Sequence, residues 1–470
     1  MLRTLSRRNF SAGVDAEILA LETKLAQLKS SRAASAAAPA AGSSDSDKFV
    51  IGTFNAISPV GLKEFPTNKY RVAKMETEKP KEPHAVLLRS HKLQSAQVPS
   101  SVRAIARCGS GVNNIPVEQM TLRGIPVFNT PGANANAVKE LTICALLLSS
   151  RGVVEGIEHV KKIYVEDGTD KDKVKKRVEA EKKFFVGQEM KGKRLGVIGL
   201  GFIGASVAEV ALNMGMNVIG YDPMLTVESA WKLPGDVMNR AASLEQLLET
   251  SDYISLHVPY SKNTHHMLSA DKLKLLKKNC HIVNYARGEL IDTKTLRQLM
   301  DDGSRTGRYV CDFPDENIQG HKLVTTMPHL GASTEEAEEN AASMAAQEVT
   351  EFIETGQIRN SVNFPTTTLP RTHRDSARLC IVNRNVPGML GLITSTVGAA
   401  GLNILQQMNT SRDQIAYNVV DLAAMPENAT AVKLLEDLNK IEGVVSSRLI
   451  QPAAIEVRKP GYFVVNTGEE

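Results

Sequence analysis

Residues 194–204 read RLGVIGLGFIG, an apolar run that leads into glycines at positions 199, 201 and 204. The apolar run predicts a short buried strand, and the residues that follow, ASVAEVALNMG, predict a helix. A second apolar run, MNVIGYD at 216–222, predicts another strand, and it ends in Asp222. A strand, a glycine-rich turn, a helix and a second strand ending in an acid together form the pattern of a dinucleotide-binding unit.

Each residue of this pattern has a role in holding a dinucleotide. Gly199 permits the tight turn, Gly201 lets the backbone approach the pyrophosphate, and Gly204 allows the helix to pack closely on the strand. The helix N-terminus offers unpaired N–H groups to the phosphates. Asp222 is placed to accept hydrogen bonds from the adenosine ribose, and its charge would repel the extra phosphate of NADP. The sequence therefore predicts NAD as the cofactor.

Strands and helices continue to alternate after Asp222, which predicts a doubly wound parallel sheet in an α/β domain. Apolar runs at 253–259, 281–286, 308–313 and 323–330 predict further strands. Ligands of such sheets collect at the carboxyl ends of the strands. The residues just after these strands that could carry chemistry are Arg287, the acidic run 312–316 and His329.

Three of these residues suit the oxidation of a hydroxyl group by NAD. His329 suits the base that removes the hydroxyl proton, because the pKa of histidine lies near neutral pH. Glu316 is placed to orient that histidine and to favour its protonated form. Arg287 offers a planar guanidinium to a substrate carboxylate. Each of them, taken alone, could equally be a solvated surface residue.

The strings GLGFIG…YDP, NYARGELID, FPDEN and PHLGAST resemble motifs of the D-2-hydroxyacid dehydrogenase family, and the resemblance covers about residues 48–452. It implies a catalytic set of Arg287, Glu316 and His329. Most members have one more residue before the catalytic glutamate and a proline where this chain has Asn317, so Asp315 is the alternative to Glu316. The glycine pattern and the resemblance together predict cofactor contacts at Ser110, Gly199, Gly201, Phe202, Ile203, Gly204, Asp222, Val258, Tyr285, Ala286, Arg287, Asp312, His329, Leu330, Gly331 and Ala332.

The resemblance also implies the domain organisation. A Rossmann-like, doubly wound NAD-binding domain at 151–330 is inserted in a flavodoxin-like α/β substrate domain formed by 48–150 and 331–365. In the substrate domain, apolar runs at the start, at 85–90, at 104–109 and at 125–131 predict strands. The chain is expected to return to this domain through the long helical run that follows Gly331.

Two arginines of the substrate domain point to a phosphorylated substrate. Arg89 and Arg107 match arginines that hold the substrate phosphate in family members acting on 3-phosphoglycerate, and the backbone N–H groups of Ser110, Gly111 and Val112 are placed to cradle a carboxylate. Two guanidiniums at one site suit a dianion and are excessive for lactate or glycerate. The resemblance thus implies NAD-dependent oxidation of 3-phosphoglycerate, the entry step of phosphorylated serine biosynthesis. The alternatives are another D-2-hydroxyacid dehydrogenase and a non-catalytic, NAD-sensing scaffold of the same fold.

Residues 377–452 follow a proline-bearing linker and read strand, helix, strand, strand, helix, strand, the ferredoxin-like α+β plan. With NRNVPGMLG and GLNI, this segment resembles an ACT domain, a module that binds amino acids between paired copies. The resemblance implies ligand contacts at Asn383, Asn385 and Asn403, L-serine as an effector, and a homodimer or homotetramer. The alternative is a purely structural module that holds the oligomer together.

The remaining segments and the composition limit the function further. Residues 1–14 contain three arginines and no acid, which predicts a transit peptide for a mitochondrion or another organelle; a disordered basic tail of a cytoplasmic protein is the alternative. A short helix and an Ala/Ser linker complete 1–47, and the tail 453–470 carries no pattern. The net charge of +4 is too small to indicate nucleic-acid binding, and no apolar run is long enough to span a membrane. The five scattered cysteines show no metal-binding spacing, so no metal is predicted.

Overall fold

The computed structural model describes residues 48–168, 170–225, 238–373 and 375–451, together with the backbone of Phe463–Val465. The predicted transit segment, short helix and linker of 1–47 lie outside the described residues, as does most of the tail. The described chain forms three sheets. Within these ranges, no helix is both long enough and apolar enough to cross a membrane.

The first sheet has five parallel strands in the order β2-β1-β3-β4-β5, as in flavodoxin-like folds. Strand β2 was not predicted. Its residues, YRVAK, alternate apolar side chains with charged ones, because the strand lies at the sheet edge. The elements of this part are β1 (Phe49–Thr53), α1 (Pro59–Leu62), β2 (Tyr70–Lys74), β3 (Ala85–Leu88), a 3-10 helix (Ser95–Gln97), β4 (Ala104–Arg107), α2 (Val117–Leu122) and β5 (Val127–Asn129).

The second sheet has seven parallel strands in the order β12-β11-β10-β9-β6-β7-β8. The strand order reverses between β6 and β9, which makes the sheet doubly wound, as predicted. Its elements are α3 (Ala135–Ser150), α4 (Val153–Asp167), α5 (Lys171–Glu181), a 3-10 helix (Lys182–Phe185), β6 (Arg194–Ile198), α6 (Phe202–Asn213), β7 (Asn217–Tyr221), β8 (Met238–Arg240), α7 (Leu244–Thr250), β9 (Tyr253–Leu256), α8 (Ala270–Leu275), β10 (His281–Asn284), a 3-10 helix (Gly288–Leu290), α9 (Thr293–Asp301), β11 (Tyr309–Cys311) and β12 (Val324–Thr326).

Both faces of the second sheet are buried. Val197 of β6 packs in one apolar cluster and its neighbour Ile198 packs in another, because successive side chains of a strand point to opposite faces. Burial on both sides explains why the strands of this sheet read as short continuous apolar runs. The predicted parallel α/β class is confirmed.

Helix α3 packs on the second sheet, although the predicted domain boundary placed it in the first domain. The prediction placed residues up to 150 in the first domain, but Val138, Ala145 and Leu146 of α3 pack in the same cluster as Leu195 and Val197 of β6. The helix therefore covers the seven-stranded sheet, and the chain crosses between the sheets just before α3. A helical pattern shows which face is apolar but not which sheet covers that face.

Helix α10 (Glu335–Thr355) carries the chain back to the first sheet, as predicted. Its small buried residues, Ala341, Ala342, Ala345 and Ala346, share a core with strands β1, β3 and β4. The approach to α1 is so close that a side chain at Gly61 would overlap Ala342. The alanines of α10 therefore set the distance between this helix and the first domain.

The third sheet is antiparallel, in the order β14-β15-β13-β16-β17. Two helices cover one of its faces, and the succession of strands and helices follows the predicted ferredoxin-like plan. An additional edge strand, β17, falls in the tail for which the sequence analysis predicted nothing. The elements are β13 (Ala377–Arg384), α11 (Met389–Ala399), β14 (Ile404–Arg412), β15 (Ile415–Leu422), α12 (Asn428–Asn439), β16 (Val444–Ile450) and β17 (Phe463–Val465).

The other face of the third sheet holds the C-terminal end of α10. The last carbonyl groups of a helix have no partner inside the helix, and here side chains of the third sheet donate to them. Helix α10 ends at Gly356, whose φ of 72° is the left-handed conformation typical of a helix C-terminus. Arg448 donates to the carbonyl oxygens of Phe352 (2.6 Å) and Ile353 (3.2 Å). Arg378 donates to the carbonyl oxygen of Thr355 (2.9 Å), and Tyr417 donates to that of Gly356 (2.7 Å).

We expect Arg378→Met to lower the free energy of unfolding by about 3–5 kcal/mol, because it leaves the carboxylate of Asp421 buried without its counter-charge. The two side chains are fully buried and are joined by two hydrogen bonds of 2.7 and 2.9 Å. Urea unfolding of the full chain measures the loss.

Two controls accompany this measurement. The double variant Arg378→Met/Asp421→Leu should be less destabilised than the single variant, because it removes both buried charges. Lys440→Met, which breaks an exposed pair with Asp437, should change stability by about 1 kcal/mol at most. An equal loss in the single and double variants would contradict the role given to the buried pair.

Candidate functional site

The glycine-rich turn after β6 leaves no room for side chains at two positions. Gly199 has a φ of 90°, and a Cβ there would lie 2.6 Å from the carbonyl oxygen of His257. A Cβ at Gly204 would overlap the carbonyl oxygen of Gly199, so the helix packs directly on the turn. At Gly201 nothing lies within 4 Å of a Cβ position, so a ligand can approach the backbone there. The three glycines therefore have the structural roles predicted for a pyrophosphate-binding turn.

The N-terminus of α6 and the acid after β7 complete this part of the site. Gly201 is the N-cap residue of α6 and forms no side-chain cap bond, so the positive end of the helix dipole lies at the glycine-rich turn. The carboxylate of Asp222 accepts hydrogen bonds from the backbone N–H groups of Leu200 and Met224, both at 2.9 Å. Each of its oxygens retains a second acceptor position for a ribose hydroxyl. These residues fit a bound NAD.

Tyr285, Ala286 and Arg287 follow β10, which is two strands away from β6 in the second sheet. Tyr285 is buried, and its hydroxyl donates to the sulfur of Met327 at 3.0 Å. Burial, followed by the charge of Asp312, raises the pKa of this phenol. Arg287 donates from Nη1 to the carbonyl oxygen of Ala286 at 2.6 Å. Val258, a predicted cofactor contact that follows β9, lies against the position that a Cβ on Gly199 would occupy.

Three arginines from two domains converge next to this segment. Arg107 lies at the end of β4 and donates from Nε to the carbonyl oxygen of Arg89 at 3.1 Å. Burial lowers the pKa of Arg107, and the charges of Arg89 and Arg287 lower it further. Nη2 of Arg287 lies 3.3 Å from the position that a Cβ on Gly111 would occupy. The structure therefore brings together the arginines predicted to bind a carboxylate and a phosphate.

The turn that carries Gly111 is held by side-chain amides. The carbonyl oxygen of the exposed Ser110 accepts a hydrogen bond from Asn129 at 2.6 Å. Asn114 donates to the carbonyl oxygens of Arg89 and His91, at 3.1 and 2.7 Å. Val112 is half-buried in the core of the first domain. These contacts fix the backbone that was predicted to cradle a substrate carboxylate.

Asp312 holds the loop that carries His329. Its side chain is 1% exposed, and its two oxygens accept hydrogen bonds from the backbone N–H groups of Leu330 and Gly331, both at 2.7 Å. Each oxygen of the Asp312 carboxylate retains a further acceptor position, so the cofactor contact predicted for it stays a prediction. In the structure Asp312 positions the segment 329–332, which includes the half-buried Ala332.

His329 adopts an unusual backbone conformation beside this carboxylate. Its φ is 58°, a left-handed conformation that is uncommon for residues other than glycine, and its N–H donates to the carbonyl oxygen of Asp312 at 3.1 Å. The ring packs edge-on against Phe313, with centroids 5.1 Å apart. His329 is exposed, as a base that must reach a substrate requires. Such conformations cluster at functional sites, where the surrounding structure holds them.

The predicted partner of His329 is not in contact with it. Glu316 is exposed, and among the described residues it forms neither a hydrogen bond nor an ion pair with His329. The alternative, Asp315, accepts hydrogen bonds from the hydroxyl of Thr293 at 3.0 Å and from the backbone and side chain of Asn317 at 2.7 and 2.9 Å. Asp315 thus fixes the loop, and Glu316 remains the prediction for the carboxylate, because catalytic hydrogen bonds often form only when substrate is bound.

The three asparagines predicted to bind an effector lie in different environments. Asn383 is 1% exposed, and its side chain bonds to Arg384 and Asn418 at 2.7 and 2.6 Å, so it faces the sheet interior and not a ligand. Asn385 and Asn403 are exposed at the surface of the third sheet. The structure therefore corrects the prediction at Asn383 and leaves the other two accessible. Within the described ranges, no group of three His, Cys, Asp or Glu residues is arranged to hold a metal.

Hydride transfer requires a dinucleotide held beside a proton acceptor and a charged anchor for the substrate, and one edge of the seven-stranded sheet offers all three. The protein is an NAD-dependent oxidoreductase in class. Residues 159–332 match the family described as "D-isomer specific 2-hydroxyacid dehydrogenase, NAD binding domain". The chain belongs to the D-isomer specific 2-hydroxyacid dehydrogenases.

Individual relatives extend the similarity beyond the NAD-binding domain. The D-3-phosphoglycerate dehydrogenase of Haemophilus influenzae is 31% identical over 384 residues, covering 79% of this chain and 87% of that protein. The enzyme of the same name from Dictyostelium discoideum is 26% identical over 426 residues, covering 86% of this chain and 98% of that protein. The crystal structure of NAD+-bound 3-phosphoglycerate dehydrogenase from Entamoeba histolytica matches with a TM-score of 0.51 at 26% identity, covering 67% of this chain and 98% of that chain. The predicted family and cofactor are confirmed.

We expect Asp222→Ala to narrow the preference for NAD over NADP, because the variant lacks the ribose hydrogen bonds and the charge that repels the extra phosphate. The ratio of kcat/KM for the two cofactors measures the effect. Asp222→Asn keeps an acceptor for the N–H of Leu200 and separates loss of charge from disturbance of the turn. Asp271→Ala, at a fully exposed position of the same domain, is the control. An unchanged ratio in both Asp222 variants would contradict this assignment.

Proposed function

We propose that the protein oxidises 3-phospho-D-glycerate to 3-phosphooxypyruvate with NAD, as the first step of phosphorylated serine biosynthesis. The observation that carries this proposal is the convergence of Arg89, Arg107 and Arg287, with Arg287 against the Gly111 turn. Three guanidiniums match a substrate that carries both a carboxylate and a phosphate dianion. The names of the relatives from Haemophilus influenzae and Dictyostelium discoideum agree with this substrate.

The side chains of the site divide the work of the reaction. Arg287 and the N–H groups at Gly111 and Val112 bind the carboxylate and place the hydroxyl-bearing carbon next to the nicotinamide position. Arg89 and Arg107 bind the phosphate. His329 accepts the hydroxyl proton as the carbonyl forms, and Arg287 stabilises the negative charge beside it. NAD, when bound, accepts the hydride.

Glu316 is proposed to act on His329 and not on the substrate. A carboxylate next to an imidazole favours the protonated ring, so Glu316 would stabilise His329 once it has accepted the proton. The exposed position of Glu316 on the loop after β11 allows it to approach once the substrate closes the site. It is therefore a positioning residue in this proposal.

We expect His329→Ala and Arg287→Ala each to lower kcat by about 100- to 10,000-fold while the affinity for NAD stays nearly unchanged, because both groups act on the substrate. Steady-state assays with 3-phosphoglycerate, D-glycerate and D-lactate, combined with NAD titrations, measure these quantities. His373→Ala, at an exposed linker position, is the matched control.

The same assays decide between the proposed function and its alternatives. Faster turnover of D-lactate or D-glycerate than of 3-phosphoglycerate would favour another D-2-hydroxyacid dehydrogenase. Binding of NAD without turnover of any 2-hydroxy acid would favour an NAD-sensing scaffold. Near-normal turnover by His329→Ala would remove His329 from the role of base.

The proposal includes a homodimer formed through the NAD-binding domain. Helix α4 exposes Val153, Ile157, Val160 and Tyr164, which follow one another at spacings of four, three and four residues and so lie on one face. Phe184, in the 3-10 helix after α5, is also 69% exposed. An apolar stripe of this kind on a helix surface indicates a protein–protein contact, and a second copy of the chain supplies the matching stripe.

We expect Ile157→Glu/Tyr164→Glu to convert the dimer into a monomer, because each new carboxylate would be buried without a partner in the apolar contact. Sedimentation velocity of the full chain measures the mass in solution. Lys162→Glu, at an exposed position of the same helix that is not three or four residues from any residue of the stripe, should leave the dimer intact. A monomeric unchanged chain, or a dimer that persists in the double variant, would contradict this interface.

Two further proposals concern regulation and location. The ferredoxin-like domain is proposed to be an ACT domain that binds L-serine through the exposed Asn385 and Asn403, because an amide side chain offers a donor and an acceptor to a zwitterion. A purely structural role is the alternative, and calorimetry with L-serine on the full chain distinguishes the two. Residues 1–14 are proposed to direct import into an organelle, because they contain arginines and no acid.

A further inference from the structure

Arg89 is paired with a carboxylate from a distant part of the chain. Oε1 of Glu338, in the first turn of α10, lies 2.5 Å from Nη1 of Arg89. The two side chains are 43% and 38% exposed, so the pair sits at the open side of the arginine cluster and not in the core. Glu338 could not be found from the sequence, because the two partners are 249 positions apart and no local pattern connects them.

Glu338 is distinguished from the other acids of its helix turn by this contact. Glu335 and Glu336 are also in the first turn of α10, and both are exposed. Among the described residues, Glu338 is the one carboxylate within ion-pair distance of Arg89, Arg107 or Arg287. The N-cap bond from Ala337 to Thr334, 3.1 Å long, fixes the start of the helix and therefore the direction from which Glu338 reaches the cluster.

We propose that Glu338 is an internal competitor of the substrate phosphate, which occupies Arg89 until that phosphate displaces it. This inference rests on the proposed function, because it assigns Arg89 to the phosphate. A carboxylate carries one negative charge and a phosphate about two, so the phosphate competes successfully for a shared guanidinium. A substrate with an uncharged tail cannot displace Glu338 and meets an arginine that is already neutralised.

This competition predicts how removal of the carboxylate divides between binding and turnover. Every ligand that uses Arg89 must first break the pair with Glu338, so loss of that carboxylate should tighten the binding of phosphate-bearing ligands. Exposed ion pairs have modest strength, which corresponds to a gain in affinity of about two- to fivefold. Among the described residues, the ion pair of Glu338 is with Arg89 and not with the proposed base His329, so kcat should stay the same.

The test compares Glu338→Gln with the unchanged full-length protein at low ionic strength. Glutamine keeps the size and the helix propensity of glutamate and removes the charge. We expect the KM for 3-phosphoglycerate and the inhibition constant of inorganic phosphate both to fall by about two- to fivefold. The KM for NAD, the kcat and the binding of D-lactate should not change. In about 1 M KCl, where the screening length is about 3 Å, the two proteins should become alike.

Glu335→Gln is the matched control, because it removes the same charge from the same helix turn without a contact to Arg89. An unchanged inhibition constant for phosphate, an equal gain for D-lactate, or an equal gain in Glu335→Gln would overturn the inference. The proposed function has its own point of failure, which is the absence of turnover with 3-phosphoglycerate in the unchanged protein. In that event, the protein oxidises another 2-hydroxy acid. The inhibition of that reaction by inorganic phosphate, compared between Glu338→Gln and the unchanged protein, still tests the role of Glu338.

Discussion

The active site depends on one buried carboxylate. Asp312 sits at the end of β11 and accepts two N–H groups of the segment that leaves β12, at 2.7 Å each. This pair of bonds holds His329 in a left-handed conformation that it would not adopt alone, and it turns the chain towards α10. A charge buried in this way is stable because both N–H donors are aimed at it. Asp312 therefore fixes both the position of His329 and the path of the chain from the second sheet to α10.

The arginine cluster illustrates a second constraint, the cost of placing like charges together. Arg107 is half-buried beside Arg89 and Arg287, and both burial and its neighbours lower its pKa. The first domain keeps the cluster in place with neutral groups, since Arg107 bonds to a backbone carbonyl and Asn114 holds the Arg89 loop. A site that stores positive charge in this manner is prepared for an anionic substrate, because binding relieves repulsion that is already present.

The sequence predicted those parts of the molecule that depend on local pattern. The turn at Gly199 and the acid at Asp222 were found because spacing alone defines them, and the buried strands were found because both of their faces are apolar. The sheet covered by α3 and the burial of Asn383 were not found, because each is decided by contacts between distant segments. The same reason applies to β2, an edge strand whose charged residues hide its alternation.

Helix α10 connects two parts of the molecule that are usually considered separately. Its first turn contacts Arg89 through Glu338. Its last carbonyl groups accept hydrogen bonds from Arg378, Tyr417 and Arg448 of the third sheet. At about 1.5 Å per residue, its 21 residues span about 30 Å, with the alanines packed on the first sheet and the C-terminal end bonded to the third. A displacement of the third sheet would therefore be transmitted along α10 to its first turn, where Glu338 contacts Arg89.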